Sequence, residues 1–542
     1  MKSEIALTLA ILGTAGAAAP VHHPYKGASR SEHKEFALFP ELAGGGWIPP
    51  KAIASSDDDE IFPKIAPDGS GNLWCVLQSS ASYNSGYSTI EIYRSTDDGM
   101  TWERQAYINV DFANLSEPAI AVDVGANRMY LAFLVKFEWA SDYDLAWASY
   151  DIQADTLANF QSGWLESSSD AISGSPAVAT ERGYTTNYAF VAWSQNRRVG
   201  ATYYYTVKLA ATGDLGASWT TYTLREDTNR YLGQVCIGAG DSIYPALMVG
   251  FKRNPSNLLA DSSKIACFWV SYDRGLSWNS LERNFSPYYV HQISTARAFG
   301  WPYAVWAVQV AKSSTNSDIY LCYSDDNSTS LLAEYYIEDQ VTLDSRMPCV
   351  VADGMAESNP RSSYFYLATY RGNPGAGNGN CVFKIAWAHG ATEAYKWFPS
   401  KGTDTIVIEN QKAFSVDIAN RGNISLSSFL FGADYSPAIT WCHEYGPTDH
   451  DIYFARTLQP AHDATDESPA VSGRIELLNT VNRGLLIFRV PDEMVGQPIK
   501  LYGADGRLVA QKPLERDLRF EVPSGVYIWQ SCEFYGKTLI QR

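Results

Sequence analysis

An eight-residue pattern, S-x-D-x-G-x-x-W, occurs at residues 95–102 (STDDGMTW) and again at 271–278 (SYDRGLSW), and TGDLGASW at 212–219 departs from it only in its opening Thr. Weaker copies begin at Ser149 and Ser324, so the five starts are 54, 63, 59 and 53 residues apart. So regular a step means a supersecondary unit repeated along the chain, each copy burying its apolar face against the next. A period of this length suits the four-stranded blade of a β-propeller.

The chemistry of the pattern is local. Asp97, Asp214 and Asp273 can each accept hydrogen bonds from the amides of a tight turn. Gly99, Gly216 and Gly275 supply a backbone conformation that side chains resist, and Trp102, Trp219 and Trp278 offer large faces to pack between sheets. Ser95, Thr212 and Ser271 open the three turns. A catalytic pair such as Asp97 and Asp98 would not need copies in several units, so these carboxylates read as structural.

Each copy follows an alternating strand: TIEIYR, YDLAWA, YYTVKLA, KIACFWV and DIYLCY. CVFKIAWA (381–388) and DIYFART (451–457) continue the series, which brings the count to seven. Pro63, Pro118, Pro176, Pro245 and Pro348 open runs such as PKIA and PAIAV. Proline is tolerated at the first residue of a strand, so they read as the start of each blade. With LWCVL, FVAW, YAVW and AITW between these markers, a unit reads strand, strand, strand, motif, strand. The expectation is an all-β chain: a seven-bladed propeller over residues 55–460, a linker over 461–473, and a small β-sandwich over 474–542. Blade seven ends at Thr457 without a fourth strand. Segment 20–54, with EFALFP at 35–40, is the expected ring-closing piece, since pairing it there removes an exposed edge.

The repeated motif resembles the Asp-box, or BNR repeat, of the sialidase-like β-propellers, over residues 55–460. That resemblance implies extracellular glycan chemistry or recognition, in a family that includes sialidases, other glycoside hydrolases and non-catalytic members. Sialidases imply six blades, which is the alternative count. In the tail, LYGADGRLV (501–509), PSGVYIW (523–529) and YGKTLIQR resemble the C-terminal sorting domain of type IX secretion cargo, with Gly506, Gly525, Tyr527 and the basic last residue matching. This resemblance implies a Gram-negative bacterium, the type IX machinery as a partner, an outer-surface or secreted location, and removal of the tail on export. Residues 1–19 read as a signal peptide: Lys2 precedes an apolar run from Ile5 to Leu12 and then small residues. Phe488-Arg489-Val490-Pro491 looks like the FRIP motif of sialidases, but it falls in the tail and reads as ordinary strand.

Composition excludes other partners. Net charge is −17 and no Lys/Arg run stands out, so nucleic acid is not an expected ligand. No stretch after the leader is long and apolar enough to span a bilayer. The eight cysteines form no CxxC pair, and Cys75, Cys267, Cys322 and Cys381 sit in apolar runs as small buried hydrophobes.

Inner strands of a propeller converge on its axis, so residues just before each first strand should ring one mouth. These are Asp59 and Glu60, Glu117, Asp241, His291 before the proline-less fifth blade, and Asp344 with Arg346. Glu117 and Asp344 are the candidate catalytic pair for general acid and base hydrolysis of a neutral glycan. Glu60, Asp241, His291 and Arg346 are candidate ligand-binding residues. A sialidase calls for several converging arginines, a Tyr nucleophile with Glu, and an acid/base Asp. Here only Arg346 is at the mouth, with Arg182, Arg197, Arg297 and Arg371 available from loops. The sequence assigns no cofactor with certainty. Ca²⁺ at DDDE (57–60) is compatible, and loop Tyr and Trp could stack on sugars without cleaving them. Two readings stand: a module that recognises extracellular glycan or another polymer, and a glycoside hydrolase.

Overall fold

The computed structural model describes residues 47–540 apart from short connections and the stretches 325–332, 337–343, 353–361, 421–436, 458–475, 478–484 and 490–497. They form two compact units, divided between His462 and Asp463.

The first unit is a seven-bladed β-propeller. Its first sheet runs Asp59–Pro67, Leu73–Ser80, Ser88–Ser95 and Glu103–Ile108, antiparallel and in chain order. The next five sheets repeat this meander, with inner strands at Ala113–Asp123, Ala177–Thr180, Leu232–Ala239, Tyr289–Arg297 and Ser345–Ala352. All seven alternating strands read from the sequence are third strands of blades, from Ser88–Ser95 in the first to Asp449–Arg456 in the last. The second strands carry the largest buried residues: Trp74, Trp193, Trp306 and Trp441 lie in blades one, three, five and seven.

The last blade is made from both ends of the unit. Ala413–Asn420, Pro437–Gly446 and Asp449–Arg456 supply three strands, and Lys51–Ala54 pairs antiparallel on Asp449–Arg456 as the fourth. Trp47 bridges Thr457, and the Ile48 amide donates to the Arg456 carbonyl at 2.9 Å. Closure therefore runs through residues 47–54, whereas segment 35–40 and the leader lie outside the described residues. Ile48, Ile53, Ile65, Leu77, Cys442, Ile452 and Phe454 join in one buried cluster across the seam between last and first blades. Such packing is the main stabilisation of a ring, since each sheet has two apolar faces to cover.

The repeated turns sit between third and fourth strands. In each, the opening hydroxyl receives the glycine amide (Gly99 2.7 Å, Gly216 3.0 Å, Gly275 2.7 Å), and the Asp accepts the amide four residues on (Thr101 2.8 Å, Ser218 2.9 Å, Ser277 2.8 Å). Hydrogen bonds from Ser218 and Thr212 hold the Asp214 carboxyl below the usual range. Gly99 has φ +85, and a Cβ there would lie 2.0 Å from Phe454 of the neighbouring blade. Trp102 meets that same Phe454 edge-on at 5.3 Å, and Trp219 packs on Trp147 of blade two at 5.3 Å. The turn thus fastens one blade to the one before it, and its carboxylates are fully engaged.

The prolines required correction. Pro63, Pro118 and Pro348 lie inside their inner strands, and Pro245 lies outside the described residues, in the connection between Leu232–Ala239, the inner strand of blade four, and its second strand Leu247–Arg253. Proline lacks an N–H, so a bulge and a strand start accommodate it equally, and sequence position alone does not separate them.

Cys75, Cys236, Cys267, Cys349, Cys381 and Cys442 carry free thiols. The described residues of the second unit, Asp463–Arg542, form seven strands in two antiparallel sheets, of three and four strands. Phe488 and Arg489 belong to the strand Leu485–Arg489, paired with Asp517–Glu521.

Ile53→Ala is expected to cost about 2–4 kcal/mol in chemical denaturation, because it empties a buried site on the ring-closing strand. Asp214→Ala, at an exposed turn, is expected to cost about 1–2 kcal/mol by the same measurement.

Candidate functional site

Six of the seven inner strands slip register once, near their start: at Ile61/Lys64, Ser116/Ala119, Gly233/Cys236, Val290/Gln292, Arg346/Cys349 and Ala413/Ser415. Four bulge residues have left-handed backbones despite carrying side chains: Phe62 (φ 55), Glu117 (φ 51), Gln234 (φ 51) and Met347 (φ 55). Each costs about 1–3 kcal/mol and persists only where the surroundings over-determine it. In blade three Ser175 occupies the same place, in a break between Ala171–Ser173 and Ala177–Thr180. A bulge re-aims its side chain. Here it turns Phe62, Glu117, Ser175, Gln234, His291 and Met347 into one ring lining a central cavity of ≈ 600 Å³.

Side chains of neighbouring blades hold the ring in place. Gln78 accepts the Glu117 amide at 3.4 Å, and Gln309 accepts that of Met347 at 3.1 Å. Gln234 itself accepts the Ile293 amide at 2.7 Å and donates to the Ile293 carbonyl at 3.3 Å. Deeper in the channel, Lys64 of the first blade reaches Asp417 of the last at 3.4 Å. Burial opposes the charge on Lys64, but Asp417 outweighs it and holds the ammonium pKa above the usual value.

The nominated residues separate into distinct environments. Glu117 lines the cavity and accepts the Ser175 hydroxyl. His291 lines it as well; burial, then the cations of Lys252 and Arg346, push its pKa down, leaving a neutral ring able to donate and accept at neutral pH. Asp344 is 5% exposed and does not line the cavity. One of its oxygens accepts the Ser317 amide at 2.8 Å and the other takes Arg346 Nε at 2.6 Å. Asp344 is thus engaged by Arg346 and Ser317, and the structure does not bring it together with Glu117. Asp241 lies outside the described residues, in the connection between Leu232–Ala239 and Leu247–Arg253 and not ahead of an inner strand.

Glu60 is not at the mouth. It is 1% exposed, in the seam between first and last blades, where Oε1 accepts the Ser56 amide at 3.2 Å and the Ser56 hydroxyl while Oε2 has no partner. Burial, opposed by the Ser56 hydrogen bonds and assisted by Asp451 and Glu91, raises its pKa from 4.5 to about 8. Its neighbour Asp59 pairs with His450 of the last blade. Among the described residues no group of three His, Cys, Asp or Glu side chains is arranged to hold a metal ion. Of the arginines weighed for a carboxylate clamp, Arg197 stacks over Tyr204 at 5.4 Å and Arg371 is 8% exposed, neither of them lining the cavity, while Arg182 lies outside the described residues.

Sequence reasoning missed Phe62, Ser175, Gln234 and Met347. For three of them a signal existed, since Phe62, Ser175 and Met347, like Glu117, each directly precede a proline of the series. Gln234 and His291 have no such marker and emerge only from the strand register.

Strand direction gives the propeller two unlike ends. The repeated turns occupy one, and connections between blades, with those between second and third strands, occupy the other, the mouth. Of the ten exposed large hydrophobics described in this unit, eight are at the mouth: Phe112, Trp139, Ile172, Val199, Leu259, Tyr288, Tyr289 and Tyr445. Met100 and Leu276 are at the other end, in the turns.

No protein-family model matches the chain, and no curated protein does. Similar solved structures include a protein of unknown function from Dyadobacter fermentans (10% identity, 77% of this chain and 99% of that one, TM-score 0.42). Another is the α-L-arabinofuranosidase Arb93A from Fusarium graminearum (11% identity, 76% and 98%, TM-score 0.39). A third is the β-propeller domain of a trilobed protease from Pyrococcus furiosus (9% identity, 77% and 99%, TM-score 0.40). The propeller assignment itself rests on the strand order of this chain.

The raised pKa of Glu60 has a definite sign. Between pH 4.5 and about 8 the native state keeps a proton that the unfolded chain has lost, so this group makes stability fall as pH rises through that window. Glu60→Gln has no such proton to lose. In denaturation series from pH 5 to 8.5, the variant is expected to gain on the wild type as pH rises, by at most about 1.4 kcal/mol per pH unit.

Proposed function

We propose that the chain is an exported Asp-box propeller whose mouth binds extracellular glycan or another polymer. The observation that carries this reading is the asymmetry of the two ends. One carries repeated turns whose Asp carboxylates and glycine amides are hydrogen-bonded within the turn. The other gathers exposed aromatic and aliphatic side chains around a ring of hydrogen-bonding groups, Glu117, Ser175, Gln234 and His291. Contiguous exposed apolar side chains rimmed by polar groups mark interaction sites on proteins that otherwise bury such surface. Acceptors and donors of this kind fit hydroxyl-rich ligands, whereas a sialic acid carboxylate would call for arginines at the cavity wall.

The same reading takes residues 1–19 as a cleaved leader and the tail as a type IX sorting domain. The product would then be surface-bound or released from a Gram-negative cell. The sequence features already described support this: the apolar leader, and the tail motifs carried on a separate unit of seven strands.

Binding to a panel of neutral and acidic glycans, measured by affinity electrophoresis alongside a reducing-end assay, tests the function. Binding without turnover is expected, weakened about tenfold or more by His291→Ala, which removes a cavity hydrogen bond worth about 1.4 kcal/mol. Turnover abolished by Glu117→Gln would favour a hydrolase, with Glu117 acting beside a partner other than Asp344. Fractionation of cells expressing the full chain and the chain without 463–542 tests export: loss of surface protein in the truncated form is the expected result.

A further inference from the structure

Beside the central cavity, three aromatic side chains from three loops meet at the mouth of blades one and two. Trp139, 60% exposed, follows the second strand of blade two. One face of its ring lies on buried Phe137, stacked at 5.1 Å with 19° between the planes, so the opposite face is presented to solvent. Phe112, 57% exposed, comes from the connection between the two blades, and its centroid is 6.3 Å from that of Trp139. Tyr87, from blade one, meets Phe112 edge-on at 6.4 Å.

The cluster is held rigidly. Phe112 adopts φ +58, a conformation unfavourable for a bulky side chain, and its carbonyl accepts the Glu138 amide at 2.9 Å. The Tyr87 hydroxyl donates to a Glu138 carboxylate oxygen at 2.7 Å. Thus the loops carrying Tyr87, Phe112 and Trp139 are tied through one residue, Glu138. Backbone strain that keeps a phenylalanine in water, beside a tryptophan already backed by a second ring, has no use in the core. It orders a surface before a ligand arrives, which lowers the entropy lost on binding.

We infer that Trp139, Phe112 and Glu138 form a subsite for one sugar ring of a neutral glycan, the pyranose face lying on the indole and its hydroxyls donating to the Glu138 carboxylate. The inference rests on the glycan reading of the mouth and adds where, and to which class, the chain binds. Charge decides the class. The acceptor beside the rings is anionic, Asp111 is exposed next to Phe112, and the whole chain carries −17, so a uronic, sialic or sulfated polymer is repelled where a neutral one is not. An indole with one face buried and the other free also matches a flat ring better than the interdigitating side chains of a protein interface.

The test uses the full chain with cellohexaose, laminarihexaose, xylohexaose and mannohexaose as neutral probes, and polygalacturonate as the acidic one, by calorimetric titration. The expected result is that at least one neutral probe binds and that Trp139→Ala weakens it about tenfold or more, a stacking contribution of about 1.4 kcal/mol. Trp139→Phe should retain most of the affinity, and the unfolding midpoint should be unchanged in both. Binding that is lost in His291→Ala but untouched by Trp139→Ala would overturn the subsite and leave the mouth reading intact. Binding of polygalacturonate alone would overturn the neutral class. Failure of every probe would sink the subsite together with the glycan reading. Concentration-dependent dimerisation of the wild type, abolished by Trp139→Ala in sedimentation, would assign the rings to a second copy of the chain and refute the proposal.

Discussion

Everything in the propeller depends on the seam where Lys51–Ala54 pairs with Asp449–Arg456. A ring of sheets has no free edges only if its last sheet is completed from its beginning, and here four residues do this, with Trp47 and Ile48 extending the contact. The seam is reinforced at several depths: the apolar cluster containing Ile53, Cys442 and Phe454, the Asp59–His450 pair, the buried Glu60, and the Lys64–Asp417 pair facing the channel. Of these, Glu60 is the odd member. Its burial makes the seam respond to proton concentration, although it does not line the channel.

Closure fixes the axis, and the axis gives meaning to the bulges. A single inner strand with a left-handed Glu117 or Gln234 would be a local curiosity. Five slipped strands, together with Ser175 in the break of blade three, aim unlike side chains at a common cavity. The repetition makes the scaffold and the differences among bulge residues make the site. Turn carboxylates such as Asp273 recur because three blades use the same fastening, whereas His291 occurs once among the ring residues. The strain held at these positions, and at Phe112 on the rim, is affordable because apolar packing between blades fixes the strands on either side.

Much of this was legible without coordinates. The seven third strands, the blade count, and the structural role of Asp97, Asp214 and Asp273 follow from spacing and alternation, which are properties of consecutive residues. Phe62, Glu117, Ser175 and Met347 each stand directly before a proline of the series, a mark that went unused for three of them and that the residue before Pro245 shares without lying on an inner strand. Other assignments were hidden for a definite reason. Asp59 and Glu60 are adjacent in an alternating strand, so they point opposite ways, and nothing local says which neighbour lies on which side. Asp344 and Arg346 are two apart on one face and neutralise one another, and that pairing also depends on the Ser317 amide of a preceding blade.

The sequence by itself determined the repeat, the strand content and the turn chemistry, because these depend on contacts within a few residues. Tertiary structure alone decided which strand closes the ring, that Glu60 is buried in a seam, and that Asp344 is engaged by Arg346. It also decided that Tyr87, Phe112 and Trp139, far apart along the chain, share one patch of the mouth. These outcomes depend on which segments closure brings side by side, and distance along a chain carries no direction in space.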